Sequence, residues 1–267
     1  MSRHVLSVLR ALGVTRLARL VERRLPGPPR RWLEAKRVDL RVRAGELAGD
    51  FPEGALVPVK QLERSYREAL LLLAERHGRD QLGDYLEFGV YGGASLGAMY
   101  RATQDLGLTY VRLFGFDSFE GLPARDEEYA ASGWEPGQFA YDEHAARENL
   151  TRQGVRLDRV HLVKGWFDET LTTDFIEREG IEKVSVVMID ADLYSSARTA
   201  LEFCGPLIHG DAIFFFDDWW PDSLAVSGMG EKRAFDEFLA ENPHFIATEL
   251  ESYYPRSAKV FLVSRDA

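Results

Sequence analysis

Residues 84–95 read Asp84-Tyr85-Leu86-Glu87-Phe88-Gly89-Val90-Tyr91-Gly92-Gly93-Ala94-Ser95. An apolar run enters a glycine-rich turn and leaves it as a helix beginning near Ala94. Glycines in such a turn let the backbone approach a ligand, because a Cβ would block the positive φ angles it needs. One strand later, Val111-Arg112-Leu113-Phe114-Gly115-Phe116 ends in Asp117. An acid at the tip of the second strand suits the two hydroxyls of a ribose. The two features together read as a nucleoside-cofactor site. A nicotinamide dehydrogenase would carry Gly-x-Gly-x-x-Gly, with a helix N-terminus aimed at a pyrophosphate. Here Glu87 precedes the first glycine. A carboxylate repels phosphate but accepts hydrogen bonds from a cationic amino-acid group, which favours S-adenosylmethionine over a dinucleotide.

Outward from this stretch, strands and helices alternate. The spacing predicts a helix from residue 60 to Gly78, with Leu62, Tyr66, Leu70 and Leu73 on one side. Strands are predicted at 84–89, 110–116, 159–163, 184–190 and 211–217, and helices at about 94–106, 141–153, 168–179, 193–205 and 230–241. Such alternation builds a parallel sheet covered by helices on both faces. The end differs: Phe245–Leu250, a turn containing Pro255, and Lys259–Val263 form a hairpin with one strand antiparallel to the rest. The sum is an α/β, Rossmann-like chain resembling the seven-stranded class I methyltransferase fold, assigned to residues 56–267 behind an arm at 1–55.

A second cluster sits on two strand ends. Val184–Ile189 runs into Asp190-Ala191-Asp192, and Ala212–Phe216 runs into Asp217-Asp218. Both strands are apolar throughout, so both are central. Ligands of open α/β sheets bind beyond the carboxyl ends of the strands, where Asp190, Asp217 and Asp218 would converge. Three carboxylates that close repel one another unless a cation or protons intervene. Hard oxygen ligands suit Mg²⁺ or Mn²⁺ rather than zinc. An Asp ending a buried strand can instead cap the following helix.

Composition bounds the partners. The 267 residues carry a net charge of −10, yet residues 1–43 hold twelve Arg/Lys against three Asp/Glu. An acidic body excludes nucleic acid as the main partner. The basic arm reads as amphipathic helix, either packed on this or a neighbouring subunit or lying on an anionic inner membrane face through residues 1–25. A single cysteine, Cys204, rules out an internal disulfide, points to a cytoplasmic protein and reads as a buried packing thiol. No apolar run approaches the length of a spanning helix.

The motifs as a set are similar to those of the macrocin O-methyltransferase (TylF-type) family. The segments are Tyr85–Ser95, Phe116-Asp117-Ser118-Phe119-Glu120-Gly121-Leu122-Pro123, Val163–Leu171, Asp190–Ser196 and Phe216-Asp217-Asp218-Trp219. The resemblance covers about residues 55–265 and implies S-adenosylmethionine- and Mg²⁺-dependent methylation of a hydroxyl on a sugar of a natural product or glycan, by a self-associating enzyme. By position, Glu87 and Gly89 would flank the methionine part, with Tyr91, Gly93 and Ser95 completing the turn. Asp117, beside Ser118, would hold the ribose. Gly165, Trp166 and Phe167 would line the adenine, and Asp190, Asp217 and Asp218 the metal. Two departures stand out: His209-Gly210 where relatives often have Gly-Gly, and the bulky Trp219-Trp220-Pro221-Asp222 after the metal pair.

Metal-dependent catechol methyltransferases place a lysine three residues after the first metal Asp. Leu193 stands there, leaving Asp190, Asp192 or His144 as the candidate base. The long segment from Pro123 to Leu150, with Trp134, Phe139 and Tyr141, reads as a lid. Tyr194, Trp219 and Trp220 are candidate acceptor contacts, and Tyr253-Tyr254 reads as core. Rival readings are a small-phenol methyltransferase and a silent cofactor-binding scaffold; a scaffold has no need of three clustered carboxylates.

Overall fold

The structure, a computed structural model, describes residues 57–129, 134–219, 229–255 and 257–266. The arm and Trp220-Pro221-Asp222 lie outside the described residues. Seven strands form one sheet in the order β3-β2-β1-β4-β5-β7-β6. They are β1 (Asp84–Phe88), β2 (Leu113–Asp117), β3 (Val160–Lys164), β4 (Val184–Ile189), β5 (Asp211–Phe216), β6 (Phe245–Leu250) and β7 (Lys259–Arg265). The first five run parallel, and β7 pairs antiparallel with both β5 and β6. The expected parallel sheet closed by a hairpin is therefore present, with β7 as its reversed strand.

Side chains alternate across the sheet, so each uninterrupted apolar run feeds two cores. Tyr85, Met188, Ile213 and Phe215 face one way, against α1 (Val59–His77), α2 (Ala94–Asp105) and α3 (Glu143–Arg152). Leu86, Phe88, Phe116, Ile189, Phe214 and Phe216 face the other. There α4 (Phe167–Thr170), α5 (Thr173–Glu179), α6 (Tyr194–Cys204) and α7 (Gly230–Glu241) cover them. Each fully buried Phe contributes about 1.5–3 kcal/mol. Cys204 is buried on this second face, as expected.

Two boundaries depart from the sequence reading. The single helix expected over 168–179 is split into α4 and α5, because Thr172 Oγ1 accepts from Phe175 N at 3.2 Å and caps a fresh helix. The second strand starts at Leu113, not 110; Tyr110 is exposed before it. No helix among the described residues is long and apolar enough to cross a membrane.

Register positions the site. Phe116, Phe88, Ile189 and Phe216 lie side by side across β2, β1, β4 and β5. The next residue in each strand is therefore Asp117, Gly89, Asp190 or Asp217. Ladder bonds hold that row: Gly89 N to Phe116 O at 2.9 Å, Asp190 N to Phe88 O at 2.9 Å and Asp217 N to Ile189 O at 3.0 Å. The chain order reverses between β1 and β4, which is where open α/β sheets bind their ligands.

Candidate active site

Gly89 stands where a side chain is impossible. Its φ is 94°, and a Cβ would lie 1.9 Å from the Asp190 carbonyl oxygen. Gly93, at φ 77°, leads into α2. Tyr91 between them has φ 48° and packs its ring against Tyr141 at 4.6 Å. Asp117 shapes this turn: Oδ2 accepts from Val90 N at 2.7 Å and Tyr91 N at 2.8 Å, and Oδ1 from Phe119 N at 2.6 Å. A carboxylate offers about four acceptor positions, so the acid expected to meet a ribose has three already used by backbone. Ser118 Oγ accepts from Glu120 N and donates to Gly121 O, both at 3.1 Å, which fixes the following turn.

Glu87 is fully buried. Ser95 Oγ donates to its Oε1 at 2.6 Å and Tyr85 Oη to its Oε2 at 2.5 Å. Tyr85 Oη in turn meets Tyr66 Oη at 2.9 Å. Tyr85 and Glu87 share a face because they are two apart on a strand. Burial pushes the Glu87 carboxyl up to about 8, against the lowering effect of those hydrogen bonds. A cation placed beside it would draw the proton off. Gly165, at φ 146°, donates from N to Asp117 O at 3.0 Å. Trp166 precedes α4, and Phe167 sits edge-on to Phe88 at 5.8 Å, against the core.

Asp190, Asp217 and Asp218 each present a carboxylate oxygen within 4.8 Å of the others. Burial, then the neighbouring acids, holds Asp190 well above the usual carboxylate range. Asp217 is pushed up to about 7, by burial first and Asp218 second, and Asp218 to about 6 by burial. Mutual repulsion in a half-buried, all-oxygen set is what a hard divalent cation relieves, so these residues fit Mg²⁺ or Mn²⁺. Asp192 joins the group through a side-chain hydrogen bond to Asp218 and stands at φ 58°.

Some expected residues are elsewhere. His144 lies on α3 with its side chain 83% exposed and Nε2 3.4 Å from Glu148, outside the carboxylate cluster. Trp219 packs in the core, its ring 4.9 Å from Phe261 and 5.2 Å from Phe216. Tyr194 points to the α6–α7 surface, where its hydroxyl meets Glu237 at 2.5 Å and the Arg233 guanidinium covers its ring. Leu193, at the catechol-type lysine position, is fully buried. Tyr253, read as core, is buried but donates its hydroxyl to Asp217 Oδ1. Part of the expected lid folds back on itself: Leu122 and Gln138 pair at 2.9 Å, and Trp134 meets Phe139 edge-on at 6.3 Å.

Comparison with known proteins gives the same picture. The family described as Macrocin-O-methyltransferase (TylF) matches residues 48–240. An 8-demethyl-8-(2,3-dimethoxy-alpha-L-rhamnosyl)-tetracenomycin-C 4'-O-methyltransferase of Streptomyces olivaceus is 31% identical over 147 residues, 53% of this chain and 54% of that protein. The chain thus spans about half the length of that relative. Demethyldecarbamoylnovobiocin O-methyltransferase of Streptomyces niveus is 26% identical, covering 69% of this chain and 70% of the relative. The solved structure of the O-methyltransferase NovP superposes with a TM-score of 0.64 at 20% identity, over 88% of this chain and all of NovP. The calicheamicin methyltransferase CalS11 follows at 0.59 and 21%, over 90% and 94%. These likenesses show the class I methyltransferase fold. The match over most of its length places the chain in the macrocin O-methyltransferase (TylF) family.

Proposed function

We propose that the chain is an S-adenosylmethionine- and Mg²⁺- (or Mn²⁺-) dependent O-methyltransferase acting on a sugar hydroxyl of a glycosylated natural product. The observation that carries this reading is the row set by strand register: Gly89 and Asp117 of the cofactor turn lie beside Asp190 and Asp217. The relatives' names, a rhamnosyl-tetracenomycin and a novobiocin methyltransferase, support a glycosylated acceptor.

Glu87, ionised when a cationic amino-acid group is beside it, would hold the methionine end of the cofactor. Asp117 fixes the turn and keeps one acceptor position on Oδ1 for a ribose hydroxyl. Asp190, Asp217 and Asp218 would hold the cation, which supplies charge that stabilises the alkoxide character developing on the acceptor oxygen. Asp190 or Asp192, in its ionised form, would take the hydroxyl proton. Methyl transfer to oxygen is an in-line displacement, so holding the two reactants at the right distance supplies much of the rate. The described parts of the expected lid, residues 118–129 and 134–141, would help to exclude water.

The test is calorimetric titration of the purified chain with S-adenosylhomocysteine, with Mg²⁺ and with EDTA, repeated on Asp217→Asn. Nucleoside binding together with a Mg²⁺ site lost in the variant supports the proposal. Nucleoside binding without a metal site would leave a metal-independent methyltransferase, and no nucleoside binding would sink the reading. Turnover of glycosides rather than catechols would separate it from small-phenol methylation.

A further inference from the structure

Two glutamates outside the metal set are buried where the strand-end segments meet. Glu128 is 3% exposed and Glu231 fully buried. Glu231, in the first turn of α7, accepts from Ala191 N at 3.2 Å through Oε1 and from Asp218 N at 3.1 Å through Oε2. Glu128, from the connection after β2, accepts from Tyr194 N at 2.7 Å through Oε2 and from Gly230 N at 2.8 Å through Oε1. Each carboxylate therefore ties the segment after β4 to the segment after β5.

The tied segments are those that carry the site. Between the two anchors Ala191 and Tyr194 sits Asp192, whose φ of 58° is rare for a residue with a side chain. Neither Leu193 nor Met229, the residues preceding α6 and α7, caps its helix with a side chain. The leading N–H groups of both helices go to Glu128 instead, a carboxylate at two positive helix ends. Asp126 strengthens the same attachment, its Oδ2 accepting from Ser195 Oγ at 2.6 Å.

We infer that Glu128 and Glu231 are positioning residues that hold Asp190, Asp192 and Asp218 in their working arrangement. The inference rests on the reading that Asp190, Asp217 and Asp218 hold a cation. Ligands of a metal are aimed by the groups bonded behind them, and losing such a group typically weakens metal binding about 10–100-fold. Here the bond runs through backbone: the glutamates grip the N–H groups of the turns from which the aspartates project.

The test uses the full chain with Glu128→Gln and Glu231→Gln. An amide nitrogen cannot accept, so each variant loses one of its two backbone bonds with little change of shape. Mg²⁺ and S-adenosylhomocysteine are titrated separately, and thermal unfolding is followed. Mg²⁺ affinity is expected to fall about tenfold or more, with nucleoside affinity unchanged. Glu128→Asp, which keeps the charge and shortens the reach, takes the place of a Gln variant that does not fold. Unchanged Mg²⁺ affinity in the folded variants overturns the inference, as does a parallel loss of both affinities. If the unmodified chain binds no Mg²⁺, the metal reading itself fails. Amide hydrogen exchange then decides: faster exchange at Tyr194 or Gly230 in Glu128→Gln supports the positioning role, and unchanged exchange at both overturns it.

Discussion

Tyr253 donates its hydroxyl to Asp217 Oδ1 across 36 residues of sequence. The bond joins the β6–β7 connection to the end of β5, and it uses one acceptor position of an acid assigned to the cation. The bond fixes the orientation of the carboxylate that Asp217 would offer a cation. Tyr253→Phe keeps the ring, which packs 6.0 Å from Phe215, and removes only the hydroxyl. Mg²⁺ affinity should drop about tenfold, as for other groups bonded behind a metal ligand. Calorimetry at fixed pH reads this directly, and a wild-type affinity would show that Tyr253 serves packing alone.

Glu87 gives a pH dependence with a definite sign. Its carboxyl is held near 8 in the folded chain by burial, against about 4.3 when unfolded. The folded state therefore binds the extra proton between those values. Its stabilising contribution is complete below about 4 and is lost as pH rises toward 8. Stability of the metal- and cofactor-free chain should fall over this window, with Glu87 contributing up to about 1.4 kcal/mol per pH unit. Glu87→Gln cannot titrate, so its urea midpoint should vary less with pH than that of the unmodified chain. Equal slopes would show that Glu87 is ionised in the folded state.

Gly89 has no room for a methyl group. An alanine there would put Cβ 1.9 Å from the Asp190 carbonyl, which is backbone and cannot swing aside, at a φ of 94°. The backbone conformation alone costs a residue with a side chain about 1–3 kcal/mol. Relief of the clash would push β1 from β4 and move Asp190. Gly89→Ala should lower unfolding stability by at least that amount and weaken nucleoside and Mg²⁺ binding together. Selective loss of nucleoside binding at full stability would contradict this.

Local pattern carried the sheet and the row of acids, and long-range contact carried the rest. Five runs rich in apolar residues, each ending near an acid or glycine, are legible as strands, and the two that carry the acids, β4 and β5, are buried along their whole length. Asp190, Asp217 and Asp218 were legible for the same reason: each interrupts such a run at its carboxyl end. Glu128 and Glu231 were not. Each sits in a polar, irregular stretch where an acid is ordinary, and its role comes from backbone N–H groups that are 66 and 102 residues away for Glu128 and 40 and 13 for Glu231. Tyr253 reads as core and is in the core, while its bond to Asp217, 36 residues away, has no local signal. His144, a titratable residue of the expected lid and a candidate base, is carried by its helix to solvent. Thr172 could have been recognised as a cap, and it splits the helix read as continuous.

Under the proposed function, Asp192 is one of two candidates for the base. Its side chain is bonded to Asp218, its φ is 58°, and no lysine stands at the position of Leu193. If it accepts the acceptor's proton, Asp192→Asn should lower kcat about 10²–10⁴-fold, the usual contribution of a placed general base. The asparagine can still hydrogen-bond Asp218, so Mg²⁺ and S-adenosylhomocysteine affinities should stay close to those of the unmodified chain. Asp190→Asn should behave differently, losing Mg²⁺ affinity along with turnover. Retained turnover in Asp192→Asn, measured at saturating Mg²⁺, would move the base to Asp190 and leave Asp192 as a brace for Asp218.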